Sequence, residues 1–253
     1  MEDMEREEIV SFLDEYLSIS SYPDKSSNGL QVEGKEEVER IAFAVDACLD
    51  TIAKARAFNA DMLIVHHGII WGGVSYVKGL FAKRLKALLS SEMNLYVAHI
   101  PLDVHPEVGN NVQLLKLLNL EPLEPFGEYK GIKIGYIGEF EEPKPLPMIA
   151  QILAEKLPVD YVRSYEFGLQ EIKRVAVVSG AGGFAIEEAS EKADLLITGE
   201  ISHADYRTAE DLRVSVIAAG HYATETLGVK ALMKLVREKF GVKTIFIDSP
   251  TGL

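Results

Sequence analysis

The pattern of apolar and polar residues predicts short strands and helices that alternate along the chain. Three short apolar runs are each followed by a stretch with apolar residues at helical spacing, and the runs lie at residues 41–45, 62–65 and 95–98. After the first run, Ile52, Ala55 and Phe58 fall on one helix face. Strands that alternate with helices of this length predict an α/β fold with a mainly parallel sheet, whose ligands gather beyond the carboxyl ends of the strands.

Secondary structure can also be predicted for the opening segment and for a middle section, which lie outside this pattern. The opening segment predicts an amphipathic helix that begins near Ile9 and ends near Leu17, and the turn formers at 22–29 predict a loop. A middle section, about 121–170, breaks the rhythm: it predicts a strand at 132–137, a connector at 141–147 and then a helix. The pattern leaves open whether this section is an insert or part of the same sheet.

The first pattern returns after residue 170 as an internal repeat. Three pairs of segments match in order: 38–45 with 172–178, 60–67 with 193–200, and 97–103 with 219–225. This match aligns His66 and His67 with Gly199 and Glu200. In the third pair, a histidine that ends a predicted strand is followed four residues later by a carboxylate in both copies.

The repeat predicts how the chain is organised. We expect two related α/β halves with mainly parallel strands, at about 35–120 and 171–253, packed across a shared metal site. The middle section at about 121–170 joins them, so that residues 1–253 form a single functional unit.

Histidines and carboxylates cluster at the predicted strand ends of both halves. Six residues form this set: His66, His67, His99, Asp103, His221 and Glu225. Imidazole and carboxylate together suit zinc, iron, manganese or cobalt, and the absence of cysteine ligands disfavours a closed structural zinc site. Because the set holds more ligands than one tetrahedral ion needs, it predicts two ions.

Other candidates have a structural explanation that competes with the functional one. Glu200 and His203 are candidates for acid/base catalysis or for supporting the ligands, or else are polar surface residues. The glycine-rich run 179–183 is either a phosphate-binding loop or a tight turn between a strand and a helix. Cys48 is either a nucleophile or, since no base partner can be named, a small buried apolar residue.

Composition narrows the classes of function. With 26 basic and 39 acidic residues among 253, the net charge of −13 disfavours nucleic-acid binding without excluding a local basic patch. A single cysteine excludes an internal disulfide. The acidic N-terminus does not resemble a secretory signal and no apolar run is long enough for a membrane span, so we expect a soluble cytoplasmic protein without a membrane partner.

The motifs together resemble the Nif-three-like family, whose members are named GTP cyclohydrolase 1 type 2 homologues. The resemblance rests on segments in the same order along nearly the whole chain: 28–32, the pair His66-His67, 98–103, 198–200 and 220–225. In one place the chain departs from the family, because Gly68 stands where the histidine pair is usually followed by proline. This departure concerns the substrate-side loop and leaves the ligands intact.

The resemblance implies a Nif-three-like fold, a toroidal homohexamer and a dinuclear metal site in each subunit. By motif position, the ligands are His66, His67, Asp103, His221 and Glu225, with Glu225 as the bridge. His99 then becomes a close neighbour of the ligands, and we assign it with Glu200 and His203 to proton transfer. The cofactors are two divalent ions per subunit, zinc, iron or manganese.

These features support two classes of function. The first is a dinuclear metal-dependent hydrolase that acts on a small nucleotide-like substrate, with GTP as the candidate that the resemblance names. The second is a non-catalytic, ring-shaped metal-binding scaffold or interaction protein. Loss of activity on metal removal would favour the first, and a change in assembly or partner binding alone would favour the second.

Overall fold

The computed structural model describes residues 4–253, which divide into two compact units. The first unit comprises the chain up to residue 102 together with residues 229–249, and the second comprises residues 103–228 together with residues 250–253. Two helices span the boundaries between these segments, the short helix at 100–104 and the long helix at 221–240. Within residues 4–253, no helix combines the length and the apolar character that a bilayer span requires.

Strands and helices follow one another along the chain, and over residues 40–97 their order is the one that the hydrophobic pattern predicts. Up to residue 117 they are β1 (Met4–Glu5), α1 (Arg6–Tyr16), β2 (Gly29–Val32), β3 (Glu37–Val38), β4 (Arg40–Asp46), α2 (Leu49–Ala57), β5 (Met62–His67), α3 (Gly79–Leu89), β6 (Asn94–Val97), α4 (Ile100–Val104) and α5 (Asn110–Leu117). From residue 124 they are β7 (Glu124–Tyr129), β8 (Ile132–Pro145), α6 (Leu146–Lys156), β9 (Arg163–Tyr165), β10 (Glu171–Val178), α7 (Ile186–Lys192), β11 (Leu195–Thr198), α8 (His203–Leu212), β12 (Ser215–Ala218), α9 (His221–Phe240) and β13 (Lys243–Phe246), with a 3-10 turn at Gly182–Ala185 before α7.

The first unit is built on a five-stranded sheet in the order β13-β4-β5-β6-β2. The first four strands are parallel, and β2 joins the edge antiparallel to β6. The middle strands β4 and β5 are buried over nearly their whole length, because helices cover the sheet, and their sequences are therefore continuous apolar runs. The core includes Leu63, Leu95 and Ile52, packed together from strands and a helix.

The second unit is built on a six-stranded sheet in the order β7-β8-β10-β11-β12-β9. Its central strands β10, β11 and β12 are parallel, and antiparallel strands flank them on both sides. The core packs Val175, Leu195 and Ile217 of these strands against Ile149 and Leu153 of α6.

A matching aspartate appears at the same place in both sheets, as expected for an internal repeat. Asp61, just before β5, accepts hydrogen bonds from the backbone amides of Glu39 and Arg40 at 3.1 Å each. Asp194, just before β11, accepts from the amides of Lys173 and Arg174 at 2.9 and 2.8 Å. Each carboxylate ties the loop before one strand to the start of the neighbouring strand. The two halves are therefore related α/β structures, as the sequence match predicts.

The middle section belongs to the second sheet and supplies β7, β8, β9 and α6. The predicted connector at 141–147 was wrong, since β8 continues to Pro145 and α6 begins at Leu146. Prolines are tolerated there because β8 pairs with β7 only up to Ile137, while Lys144 and Pro145 pair with β10 alone. A strand paired on one side can carry residues without a backbone N–H.

Candidate metal centre

Three histidine rings lie together in the first unit, at the carboxyl ends of β5 and β6. His66 and His67 end β5 and His99 follows β6, so parallel neighbouring strands bring all three to one edge of the sheet. The ring centroids are 4.7 Å apart for His66 and His67, 5.0 Å for His66 and His99, and 5.5 Å for His67 and His99. Their candidate ligand atoms all lie within 4.8 Å of one another.

The hydrogen bonds of His66 and His67 decide which ring nitrogen faces a ligand. His66 Nδ1 lies 2.9 Å from the carbonyl oxygen of Ala98, and His67 Nδ1 lies 2.8 Å from Asp46 Oδ1. A carbonyl or carboxylate oxygen only accepts hydrogen bonds, so each Nδ1 carries the hydrogen and donates. In the neutral ring this leaves the lone pair on Nε2, as in histidines that bind metals with a supporting oxygen behind them.

His99 is held in the same way by a buried carboxylate. Its Nδ1 lies 2.9 and 3.0 Å from the two oxygens of Asp24, and its backbone amide donates to Asn28 Oδ1 at 2.8 Å. Asn28 Nδ2 in turn donates to Asp24 at 2.9 Å. Burial raises the pKa of the Asp24 carboxyl, but hydrogen bonds from His99 and Asn28 outweigh this effect and hold the pKa well below its usual range.

The second unit places His221 and Glu225 on the first turn of α9. Their i, i+4 spacing puts both side chains on one helix face, with His221 Nε2 3.2 Å from Glu225 Oε1. His221 Nδ1 lies 2.9 Å from Glu200 Oε1, so the ring lies between two carboxylates, with Glu200 at Nδ1 and Glu225 at Nε2. Glu225 is buried, whereas Glu200 is about half exposed.

Asp103 is buried in α4 and fixed by two donors. Asn110 Nδ2 and Ser179 Oγ donate to its Oδ1 at 2.9 and 3.0 Å. The next residue, Gly180, has a left-handed backbone with φ +64°, and a Cβ added there would overlap Glu225 Oε1. The loop at Ser179 and Gly180 therefore contacts Asp103 on one side and Glu225 on the other, which brings these two carboxylates to one part of the second unit.

The donor atoms fit a divalent ion of the zinc, iron or manganese type. The first unit offers imidazole nitrogens from His66, His67 and His99, and the second offers one imidazole with the carboxylates of Asp103 and Glu225. Ring nitrogens and carboxylate oxygens are the ligands that such ions take in proteins. The oxygen partner behind each ring fixes its orientation.

Other candidates from the sequence lie as follows. In the glycine-rich run, the amides of Ser179, Gly180 and Gly182 each donate to a side chain within the second unit, which favours the tight turn over a phosphate loop. Cys48 precedes α2, where its amide donates to Thr51 Oγ1 at 3.0 Å. His203 is exposed at the start of α8, and its predicted role in proton transfer stays a prediction.

Two supporting carboxylates, Asp24 and Asp46, were missed in the sequence. Asp46 ends β4 and pairs in register with His67 of β5, so the alignment of neighbouring strand ends could have indicated it. Asp24 lies in the turn-rich loop before β2 and is 75 residues from His99, so no local spacing relates the two.

Comparison with known proteins places the chain in one group over its whole length. The family model described as Duf34/NIF3 (NGG1p interacting factor 3) matches residues 4–252. A protein of Pyrococcus horikoshii named GTP cyclohydrolase 1 type 2 homolog is 82% identical over 250 residues, which cover 99% of this chain and 100% of that protein. A protein of the same name from Archaeoglobus fulgidus is 47% identical, and the match covers 97% of this chain and 98% of that protein.

Two solved structures are also similar to this chain over nearly its whole length. The crystal structure of TTHA1606 from Thermus thermophilus has a TM-score of 0.89 and 40% sequence identity, and covers 99% of this chain and 100% of its own. Reduced HcgD from Methanocaldococcus jannaschii has a TM-score of 0.86 and 27% identity, and covers 98% of this chain and 100% of its own.

Proposed function

The chain belongs to the Duf34/NIF3 family, and from that premise we propose that it is a metal-dependent hydrolase of a small nucleotide-like substrate. The observation that carries the proposal is the orientation of the histidines. His66, His67 and His221 each have an oxygen within hydrogen-bond distance of Nδ1, which fixes the orientation of the ring as it does in histidines that bind metals. The relatives' name, GTP cyclohydrolase 1 type 2 homolog, makes GTP the first substrate to test.

In this proposal, two divalent ions would be held by five residues: His66, His67, Asp103, His221 and Glu225. Such ions, when bound, supply Lewis acidity and make a water molecule acidic enough to ionise near neutral pH. The protein contributes the fixed positions of the ligands. Asp46 and Glu200 hold the rings of His67 and His221, so that neither ring has to reorient during a reaction.

Proton transfer is assigned to His99, Glu200 and His203. The pairing of His99 with Asp24 supports a role as general base: Nδ1–H is bound to the carboxylate, so Nε2 is the atom that takes up a proton. The nearby Asp24 charge then stabilises the imidazolium that forms, as a carboxylate does for histidine in hydrolases. Glu200 is partly exposed and can exchange protons with water or substrate.

Turnover by the metal-loaded protein tests this function. Protein loaded in turn with zinc, iron(II) and manganese is assayed with GTP, other nucleoside triphosphates and phosphodiesters, and His67→Ala serves as the control that lacks a ligand. We expect the wild-type protein to hydrolyse at least one of these substrates, and His67→Ala to do so at least about a hundredfold more slowly. Equal, background-level rates for both proteins with every metal and substrate would reject it.

A second candidate function is a non-catalytic metal-binding scaffold. The family description, NGG1p interacting factor 3, names an interaction and no reaction. If this function is correct, removal of the metal changes the assembly or partner binding of the protein, and no substrate is turned over in the assay above.

We also propose that the chain assembles as a homohexamer, which the resemblance to the family implies. Large apolar side chains are exposed within a short segment of the first unit, residues 71–80: Trp71, Val74, Tyr76, Val77 and Leu80. Exposed apolar residues concentrated in this way favour a protein–protein contact.

A further inference from the structure

The second unit contains a cleft beyond the carboxyl ends of two parallel strands. Its volume is about 670 Å³, within the range of roughly 300–1,000 Å³ that is typical of small-molecule sites. Gly199 and Glu200, which follow β11, and Gly220, which follows β12, line it. Ligands of parallel sheets bind at this edge, so the cleft lies where a substrate is expected.

Three tyrosines contribute to the wall of the cleft. Tyr161, Tyr165 and Tyr222 all line it, together with apolar residues of the 157–159 segment. The Arg163 guanidinium lies 5.5 Å from the centroid of the Tyr161 ring and donates to the Tyr161 hydroxyl at 3.0 Å. Tyr161 is 59% exposed, so its ring is open to a ligand while Arg163 restrains it. A restrained, exposed ring offers a flat surface for stacking.

The charges of the cleft favour one part of a nucleotide over another. Among the described residues that line it, Arg163 is the one cation, and Asp160 and Glu200 are carboxylates. A chain of phosphates would be repelled by this excess of negative charge. A planar ring with N–H groups would instead stack on tyrosine and donate hydrogen bonds to the carboxylates.

Glu200 connects the cleft with the proposed metal ligands. Glu200 lines the cleft, and its carboxylate accepts the hydrogen bond from His221 Nδ1. A molecule bound in the cleft therefore adjoins the residue that positions His221.

From these observations we propose that the cleft binds the planar nitrogen heterocycle of the substrate, a purine or a purine-like ring. The ring stacks on Tyr161, and its N–H groups face Asp160 and Glu200. This inference rests on the proposed function, since it assigns a place to one part of a nucleotide-like substrate. It adds that the ring, and no phosphate, is what the cleft recognises.

Calorimetric titration of the metal-loaded protein with guanosine tests the inference, and ribose is the matched probe without the planar heterocycle. Guanosine is expected to bind at least tenfold more tightly than ribose. Tyr161→Ala should weaken guanosine binding about tenfold, the loss typical of removing a stacking ring. Tyr161→Phe keeps the ring and should bind within about twofold of the wild-type protein. Circular dichroism checks that both variants fold.

The inference would be overturned by no guanosine binding by the wild-type protein, by equal binding of guanosine and ribose, or by unchanged binding by Tyr161→Ala. The His67→Ala variant separates this inference from the proposed function. Because all residues of the cleft belong to the second unit, guanosine should bind this variant as it binds the wild-type protein. Wild-type binding with no turnover would reject the hydrolase and leave the cleft assignment standing, while loss of guanosine binding in His67→Ala would reject the cleft assignment.

Discussion

At the scale of single residues, the hydrogen-bond partner of Nδ1 distinguishes histidines with different roles. His66 Nδ1 donates to the carbonyl of Ala98, which leaves Nε2 with the lone pair. His105 has the opposite arrangement, because its Nδ1 accepts from the backbone amides of Glu107 and Val108 at 3.2 Å each. His105 therefore stabilises a turn. Counting histidines in the sequence cannot make this distinction, since it depends on the partner of each nitrogen.

The carboxylate behind His67 gives a prediction about metal affinity. Asp46→Ala removes the acceptor that orients the ring, so metal affinity should fall by about 10–100-fold, the usual effect of losing such a partner. Competition with a coloured chelator measures this change. Asp50→Ala is the matched control, because Asp50 is an exposed carboxylate on α2 that pairs with Lys54. Equal affinities of the two variants would contradict the role given to Asp46.

The glycine beside Glu225 gives a second prediction at this scale. Gly180→Ala places a Cβ on the Glu225 carboxylate and should lower the metal content of the purified protein. It should also lower the free energy of unfolding by about 1–2 kcal/mol, the cost of a left-handed backbone at a residue with a side chain.

A matched control separates these two effects. Gly131 also has a positive φ, +84°, but an added Cβ meets no atom within 4 Å. Gly131→Ala should therefore show a similar loss of stability in denaturant titration and keep its metal. Full metal content in Gly180→Ala would show that the loop does not constrain Glu225.

At the scale of elements, Glu188 of α7 links its helix to the edge of the second sheet. Its carboxylate accepts from Lys133 and Lys192 at 2.9 Å each and from the amide of Glu128 at 3.0 Å. Burial raises the pKa of Glu188, but these hydrogen bonds outweigh it and lower the pKa from 4.5 to about 2. The carboxylate therefore ties β7 and β8 to α7 in its ionised form.

This lowered pKa predicts how stability depends on pH. The folded pKa lies below the unfolded one, so the contribution of Glu188 is complete above pH 4.5 and is lost as the pH falls to about 2. Glu188→Gln should remove part of the slope of unfolding free energy against pH in this window and should lower stability at neutral pH. Urea titrations at pH 2.5 to 7 test this, with Glu187→Gln, an exposed neighbour, as the control. Parallel curves for wild type and Glu188→Gln would contradict the assignment.

The sequence predicts most elements but few of the contacts between them. The alternation of β4, α2, β5, α3 and β6 follows from apolar runs and helical spacing, and the repeat predicts its second copy. The end of β8 could not be predicted, because prolines normally interrupt strands and only the pairing partners show that they are tolerated at this edge.

The sequence likewise predicts some residues of the candidate site and misses others. His66 and His67 are marked by their position at the end of an apolar strand, and His221 and Glu225 by their helical spacing. Asp24 is not marked, because a loop far away in the chain delivers it to His99. Residue type and spacing therefore indicate candidate ligands, and tertiary structure is needed for the groups that orient them.

At the scale of the whole molecule, the exposed apolar segment at 71–80 gives a prediction about assembly. Light scattering after gel filtration should give a mass about six times the 27.9 kDa of the chain. Tyr76→Glu places a charge on the most exposed of these side chains, at 74%, and should reduce the mass. Leu123→Glu, at an exposed apolar position in the second unit, is the control and should not change it. A monomeric wild-type protein would contradict the proposal.

We propose that the candidate histidines and carboxylates bind divalent metal, and elemental analysis of the gently purified protein tests this proposal most directly. We predict about two ions per chain in the wild-type protein, as expected for a two-metal site. His67→Ala and Glu225→Gln should each lower this value, whereas His203→Ala, which removes an exposed histidine, should leave it unchanged. A metal content near zero in the wild-type protein, or one that none of these substitutions alters, would contradict the proposal.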